Sequence, residues 1–138
     1  MKNEFAPYEE ALALKELGFR EECFGFYDDI LNNNETEHRL FPIRTQTLTD
    51  KMLEILTPAP IYQQAFRWFM DEYELYSRVE YNSTFYLFLI SDWSKLPIID
   101  YRSDKKDEWE TSYKTYEEAQ DACLRKLIEI VNQNGDDS

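Results

Sequence analysis

The apolar positions near the C-terminus predict a long amphipathic helix over 116–133. Apolar residues recur there at three- and four-residue steps, which is the spacing of one helix face: Ala119, Ala122, Cys123, Leu127, Ile130 and Val131. Thr115 and Glu118 flank the first turn as a capping box, in which each side chain bonds a backbone N–H that the helix leaves free. The last residues, 134–138, include Gly135 and are predicted to fray.

The tetrapeptide YEEA that opens this helix also occurs near the N-terminus, in "PYEEALALKELGF". Pro7 suits a first helical turn because its missing N–H costs nothing there, and Glu9 and Glu10 favour the positive end of the helix dipole. Gly18 and Phe19 indicate a C-terminal stop with the glycine in the left-handed conformation. Because the sequences flanking the two copies do not match, we interpret them as two helix starts rather than a duplication.

The middle of the chain predicts a third helix over 60–74 and a shorter one over 49–56. In the third helix Pro60 suits the start, and one face carries aromatic and small side chains: Tyr62, Ala65, Phe66, Phe69 and Tyr73. The shorter segment has helical apolar spacing, and either Thr49 or Asp50 could cap it.

Short apolar and aromatic runs bounded by turn residues predict the strands 23–28, 39–43, 76–81, 84–90, 97–102 and 109–113. Pro42 would place the second of these at a sheet edge, because it has no N–H to donate. The order of elements indicates an α+β fold, with an antiparallel sheet of four to six strands and three or four helices packed on it. We expect Cys123 and Leu127 in the core.

The segment 84–90, "TFYLFLI", is apolar on both faces. A strand with one face in water should alternate apolar and polar residues, so this strand needs cover on both sides. Helices of the same chain are one source of cover. The other is a partner or a second copy of the chain, which would meet Tyr86 and Phe88 together with Trp93 in the next turn.

The charge of the chain narrows its partners. The sequence has 138 residues, which favours a single domain over 1–138, and its 28 acidic and 15 basic residues give a net charge of −13. Such a negative surface repels phosphate backbones and anionic membranes, so we expect neither direct nucleic-acid binding nor membrane association. The negative charge favours a basic protein as partner. The alternative is that the charge serves solubility alone. With no secretory pattern and no long apolar run, a cytoplasmic location with reduced thiols is expected.

Few residues favour catalysis. His38 is the sole histidine and lies in a polar stretch, where a solvated side chain is more usual than a general base. Cys23 and Cys123 lack any partner motif and read as small buried hydrophobes. The acidic run "DDILNNNE" lacks the alternating ligands and central glycine of a calcium loop. With 3 glycines and no phosphate-binding motif, we expect no catalytic residue, metal or cofactor.

Four blocks together resemble small uncharacterised proteins of gut anaerobic bacteria, their prophages and related mobile elements. The blocks are "PYEEALALKELGF", "CFGFYD", "APIYQQAFRWFMDEY" and "YKTYEEAQDACLRKLIEIV". The resemblance implies a mobile-element context and carries over no activity, ligand or site residue.

Three functions are compatible with these patterns. The leading hypothesis is a non-enzymatic, acidic protein-binding module that meets another protein, itself or a basic host protein. A second is an inhibitor whose carboxylates mimic nucleic-acid phosphates and block a host nuclease or DNA-binding protein. A third is a small hydrolase that uses a carboxylate pair.

Overall fold

The computed structural model describes residues 4–31, 37–46, 48–103 and 113–136. The chain divides into two compact units, Met1–Ile61 and Tyr62–Ser138. The described part is α+β, with three α-helices and two three-stranded antiparallel sheets. The prediction that the whole chain is a single domain stays a prediction.

The first unit contains one α-helix and one sheet. Its elements are α1 (Tyr8–Glu16), β1 (Cys23–Asp28), β2 (Leu40–Gln46) and β3 (Leu56–Pro58). The strand order is β2-β1-β3, so β2 lies at an edge, as Pro42 predicts. Both neighbours run antiparallel to β1.

The ends of α1 follow the local sequence. Pro7 occupies the N-cap, and Glu9 and Glu10 lie in the first turn. Gly18 has a φ of 102°, and the N–H of Phe19 donates to the Leu14 carbonyl at 2.9 Å, which satisfies a carbonyl the helix leaves free. The predicted helix stop is therefore confirmed.

The predicted helix over 49–56 is wrong. Only Met52–Glu54 is helical, as a single 3₁₀ turn, and the chain then enters β3 beside β1. The N-cap of this turn is Lys51, which makes no side-chain cap bond, although Thr49 Oγ1 accepts the Met52 N–H at 3.3 Å. Pro58 and Pro60 follow within a few residues and disfavour a continuing helix, because they have no N–H to donate.

The second unit packs two helices with a sheet. Its elements are α2 (Tyr62–Tyr73), β4 (Leu75–Tyr81), β5 (Tyr86–Asp92), β6 (Ile99–Arg102) and α3 (Tyr116–Asp136). The strand order is β4-β5-β6, both pairings are antiparallel, and α3 contacts β4 and β5. Of the predicted strand 109–113 only Tyr113 is described, and it forms an isolated bridge to Tyr86.

One sheet of four to six strands was therefore the wrong grouping. Six strands are present in the described ranges, but they form two sheets of three. Periodicity identifies a strand without identifying its partner, and here each antiparallel set is completed by strands near in sequence. The helix α2 separates the two sets along the chain.

The Thr115 side of the predicted capping box of α3 is present. The N–H of Glu118 donates to Thr115 Oγ1 at 3.1 Å. The helix continues to Asp136, so 134–136 are helical, and 137–138 lie outside the described residues. Cys123 and Leu127 are fully buried, which confirms their predicted place in the core.

The strand β5 is buried on both faces, as its apolar pattern predicts. Four successive side chains from Leu87 to Ile90 are at most 9% exposed. Their register partners on β4 are less buried: Arg78 is exposed, and Ser77, Val79 and Glu80 are half-buried. The turn after Asp92 projects from this strand.

Candidate functional site

Large apolar side chains are exposed together at the connection from β5 to β6. Leu96 is 97% exposed and Trp93 is 57% exposed. Ile98 ends the connection and Ile99 begins β6, at 41% and 42% exposure, and Tyr76 of β4 contacts Trp93, with ring centroids 5.6 Å apart in an edge-to-face arrangement. We call these five residues the hairpin surface. Large apolar side chains exposed close to one another are typical of interaction sites, and the contact between Tyr76 and Trp93 joins two of them.

Hydrogen bonds hold the turn that presents this surface. Asp92 Oδ1 accepts from the Ser94 N–H at 3.0 Å and from the Ser94 hydroxyl, and this aspartate is buried. The N–H of Trp93 donates to the Glu74 carbonyl at 3.0 Å. The peptide bond from Leu96 to Pro97 is cis. The backbone beneath the apolar side chains is therefore fixed at its entry by the sheet.

The other turn of the same sheet has a polar tip. Between β4 and β5, Asn82 Oδ1 accepts from the N–H groups of Thr84 and Phe85 at 3.0 and 2.9 Å. The residues at its tip, from Asn82 to Thr84, are polar and exposed. Both turns begin with a side-chain oxygen that bonds the next backbone N–H groups. The apolar residues between β5 and β6 consequently have no evident role in turning the chain.

The three residues predicted to meet a partner lie in different environments. Trp93 belongs to the hairpin surface. Phe88 is 2% exposed and stacks near Tyr113, so its ring is not available at the surface of the folded chain. Tyr86 is half-buried and contacts the rings of Tyr81 and Tyr116. The reason is that Phe88 and Tyr86 point toward the face of the sheet that α3 contacts.

Sequence reasoning missed four members of the hairpin surface: Tyr76, Leu96, Ile98 and Ile99. The signal was available in "SDWSKLPIID", where a turn rich in serine, aspartate and proline also contains large apolar residues. Turns normally expose polar side chains. An apolar residue in a turn is exposed to water and does not contribute to the turn conformation, so another role is indicated. Tyr76 had no such signal, because exposure on an alternating strand depends on which face is covered.

In the first unit, a cluster of polar side chains surrounds Asp29. Its carboxylate accepts from Tyr8 Oη at 3.1 Å and Thr57 Oγ1 at 2.6 Å on one oxygen, and from Lys15 Nζ at 3.0 Å on the other. Lys15 also donates to the Leu56 carbonyl at 3.1 Å. We call these four side chains the Asp29 cluster. It connects α1 to β3 and to the end of β1.

The cluster shifts the pKa values of Asp29 and Tyr8. Burial alone would raise the pKa of Asp29, but hydrogen bonds from Thr57, Lys15 and Tyr8, with the charge of Lys15, hold it below its usual value. Burial and the hydrogen bond to Asp29 raise the pKa of Tyr8 to about 12. A carboxylate that already accepts three donors has little capacity left to act as a base, so this chemistry favours structure over catalysis.

The remaining nucleophiles and ligands offer little chemistry. His38 stacks on Tyr8 with ring centroids 3.6 Å apart, and its Nδ1–H donates to the Asp28 carbonyl at 2.9 Å. Cys23 and Cys123 are both buried, and burial raises the pKa of the Cys123 thiol to about 12. Across the described ranges, no three histidine, cysteine, aspartate or glutamate residues are grouped so as to hold a metal.

No family model, curated protein or solved structure matches this chain. Within the described residues, no helix is long and apolar enough to cross a membrane. The resemblance to proteins of mobile elements and the cytoplasmic location stay predictions.

Proposed function

We propose that this protein is a non-enzymatic binding module that uses the hairpin surface to dock into an apolar groove of another protein. The observation that carries the proposal is the joint exposure of Trp93 and Leu96, 57% and 97%, on a turn whose backbone is held by hydrogen bonds. Aromatic and aliphatic anchors of this kind supply most of the energy of protein interfaces.

The energy available from such docking is large enough for function. Covering one large apolar side chain contributes about 1.5–3 kcal/mol. Trp93 and Leu96 are the most exposed members, so they gain most from burial in a partner. The fixed entry of the turn also lowers the conformational entropy lost on binding, because the anchors are already positioned.

The charge of the chain indicates the kind of partner. A net charge of −13 attracts a basic protein over long distances and repels acidic ones. Near the hairpin surface Lys95 and Asp100 are both exposed, so the local field is mixed and the apolar contact determines the fit. The association rate should then fall as salt is raised, with a smaller effect on dissociation. The mobile-element resemblance favours a host protein as this partner.

The internal bonding of the polar residues supports a binding role over a catalytic one. In the Asp29 cluster, the carboxylate oxygens accept from three side chains of the same chain. In the hairpin surface, by contrast, Trp93 and Leu96 leave more than half of their area in water.

A site-specific photo-cross-linker tests the proposal. We would place p-benzoylphenylalanine at Leu96, and at Thr84 in the polar turn as the matched control, and irradiate each protein in cell extract. The expected result is a discrete adduct from position 96 that is absent from position 84. Equal adduct patterns from both positions would contradict docking through the hairpin surface.

The partner identified by mass spectrometry then allows a quantitative test. Leu96→Asp should weaken its binding roughly 30-fold, the equivalent of about 2 kcal/mol at an interface hot spot. Thr84→Asp adds the same charge to the other turn and should leave affinity unchanged. If Leu96→Asp binds as tightly as wild type, the hairpin surface is not the docking site.

A further inference from the structure

The outer edge of β4 carries backbone groups that no described strand satisfies. The sheet order β4-β5-β6 leaves β4 paired on one side only. The bonds from Ser103 N–H to the Phe88 carbonyl and from Trp93 N–H to the Glu74 carbonyl fix the alternation of the ladder. Even-numbered residues of β4 consequently bond β5, and the N–H and C=O groups of Ser77, Val79 and Tyr81 point away from it.

Edge strands normally carry features that prevent pairing with a second chain, such as like charges, proline or a bulge. The strand β4 pairs with β5 in continuous register over 75–81, with no bulge and no proline. Its edge charges are Arg78 and Glu80, which are of opposite sign and pair with each other at 2.7 Å. A repeated single charge would repel a second copy of this strand, whereas this pair does not.

We infer that β4 pairs antiparallel with β4 of a second copy of this chain across a two-fold axis at Val79, joining two sheets into one of six strands. In that register the outward-pointing residues meet as hydrogen-bonded pairs: Val79 faces its own copy, and Ser77 faces Tyr81 of the other chain. Roughly six main-chain hydrogen bonds would form.

The charges of Arg78 and Glu80 favour this register over the registers shifted by one residue. With the axis at Val79, each Arg78 lies directly opposite a Glu80 of the second chain, and the two intrachain pairs become a network of four charges. Moving the axis one residue either way places Arg78 opposite Arg78, or Glu80 opposite Glu80. Directly opposed like charges destabilise a strand pair, so electrostatics and backbone parity select the same arrangement.

This dimer is independent of the docking function proposed for the hairpin surface. The dimer needs the backbone edge and the charges of β4, whereas docking needs the side chains of Trp93 and Leu96. Leu96→Asp should therefore leave the dimer intact, and variants at Arg78 and Glu80 should leave the anchors of the hairpin surface in place.

Reciprocal charge reversal tests the inference by sedimentation equilibrium over a concentration series at about 150 mM salt. Wild type is expected to dimerise. Arg78→Glu and Glu80→Arg each oppose like charges twice across the axis and should weaken dimerisation at least about tenfold. An equimolar mixture of the two variants restores both attractive pairs, and so does the double variant, so both should recover dimerisation. Arg20→Glu breaks an exposed ion pair with Asp50 and lowers the net charge by the same amount as Arg78→Glu, and should behave as wild type.

Amide hydrogen exchange supplies a readout that does not depend on a variant. The Val79 amide should become protected as protein concentration rises, while the Arg78 amide, bonded to β5, should be protected at every concentration. A wild-type chain that stays monomeric at millimolar concentration overturns the inference. So does a mixture of the reversed variants that associates no better than either alone, or Val79 exchange that is independent of concentration.

Discussion

The Asp29 cluster and the hairpin surface differ in how far their side chains are satisfied by contacts within the same chain. In the cluster, both carboxylate oxygens of Asp29 accept hydrogen bonds from donors on other segments of the same unit. In the hairpin surface, Trp93 touches Tyr76 but leaves 57% of its area exposed, and Leu96 is almost fully exposed. The first region is chemically saturated, and the second is not.

This difference separates residues that maintain the fold from residues that are open to a partner. Titratable side chains suggest chemistry only when some of their bonding capacity remains free. Apolar side chains suggest binding only when they stay exposed on a backbone that holds them in place. Four predictions test this separation, from the largest expected effect to the smallest.

Asp29→Ala should lower the free energy of unfolding by about 2–3 kcal/mol, because Lys15, Tyr8 and Thr57 lose their shared acceptor in a partly buried site. Urea denaturation measures the change. Asp28→Ala is the matched control, since the Asp28 carboxylate accepts the Ile30 N–H at 2.9 Å in an exposed position, and should cost under about 1 kcal/mol. Equal losses from both variants would show that the cluster is not a stabilising centre.

Leu96→Asp should produce the opposite result. Binding to the cross-linked partner falls by about 2 kcal/mol, while the free energy of unfolding stays within about 0.5 kcal/mol of wild type, since the side chain is already in water. Isothermal titration and urea denaturation on the same preparation separate the two effects. A large loss of stability would mean that the hairpin surface helps to maintain the fold.

The stabilising effect of Asp29 should disappear in acid. Because its pKa is lowered in the folded chain, Asp29 contributes stability above the ordinary carboxyl pKa of about 3.9, and the contribution is lost as pH falls through the folded pKa. The difference in stability between wild type and Asp29→Asn should be about 1–2 kcal/mol at pH 7 and should shrink below about pH 4. A difference that does not vary with pH would show that ionisation of Asp29 contributes nothing.

Tyr8→Phe should have the smallest effect of the four, a loss of about 1 kcal/mol at pH 7 from the hydrogen bond to Asp29. The pKa of Tyr8 is raised to about 12, so the wild-type contribution is complete below about pH 10 and is lost as pH rises through about 12. Tyr76→Phe removes a hydroxyl from an exposed ring and serves as the control. If both variants lose the same stability, the Tyr8 hydroxyl has no special role.

Local signals were sufficient for the helix ends and for the buried strand. Thr115 and Gly18 act on backbone groups within a few residues, so their positions alone fix where α3 begins and where α1 ends. The double burial of β5 follows from consecutive apolar residues, whatever covers them. The error at 49–56 arose because apolar spacing over a short window suits a helical turn and a strand equally well.

Long-range contacts could not be predicted in the same way. Asp29 meets Lys15 and Thr57 across separations of 14 and 28 residues, and no local pattern identifies which of many acids they will bond. The hairpin surface was predicted only in part, because the aromatic Trp93 was identified from the sequence whereas Leu96, inside a turn, was not. The grouping of strands into two sheets depends on pairing, which alternation does not encode.

Both native thiols lie inside the protein, at 1% exposure or less. A cysteine introduced on the surface, for example by Lys95→Cys, would therefore be the one readily accessible thiol among the three of the folded chain. Maleimide dyes or spin labels could then be attached beside the apolar turn without removing either natural residue. The protein is in this sense already prepared for fluorescence and distance measurements at the place where a partner is expected.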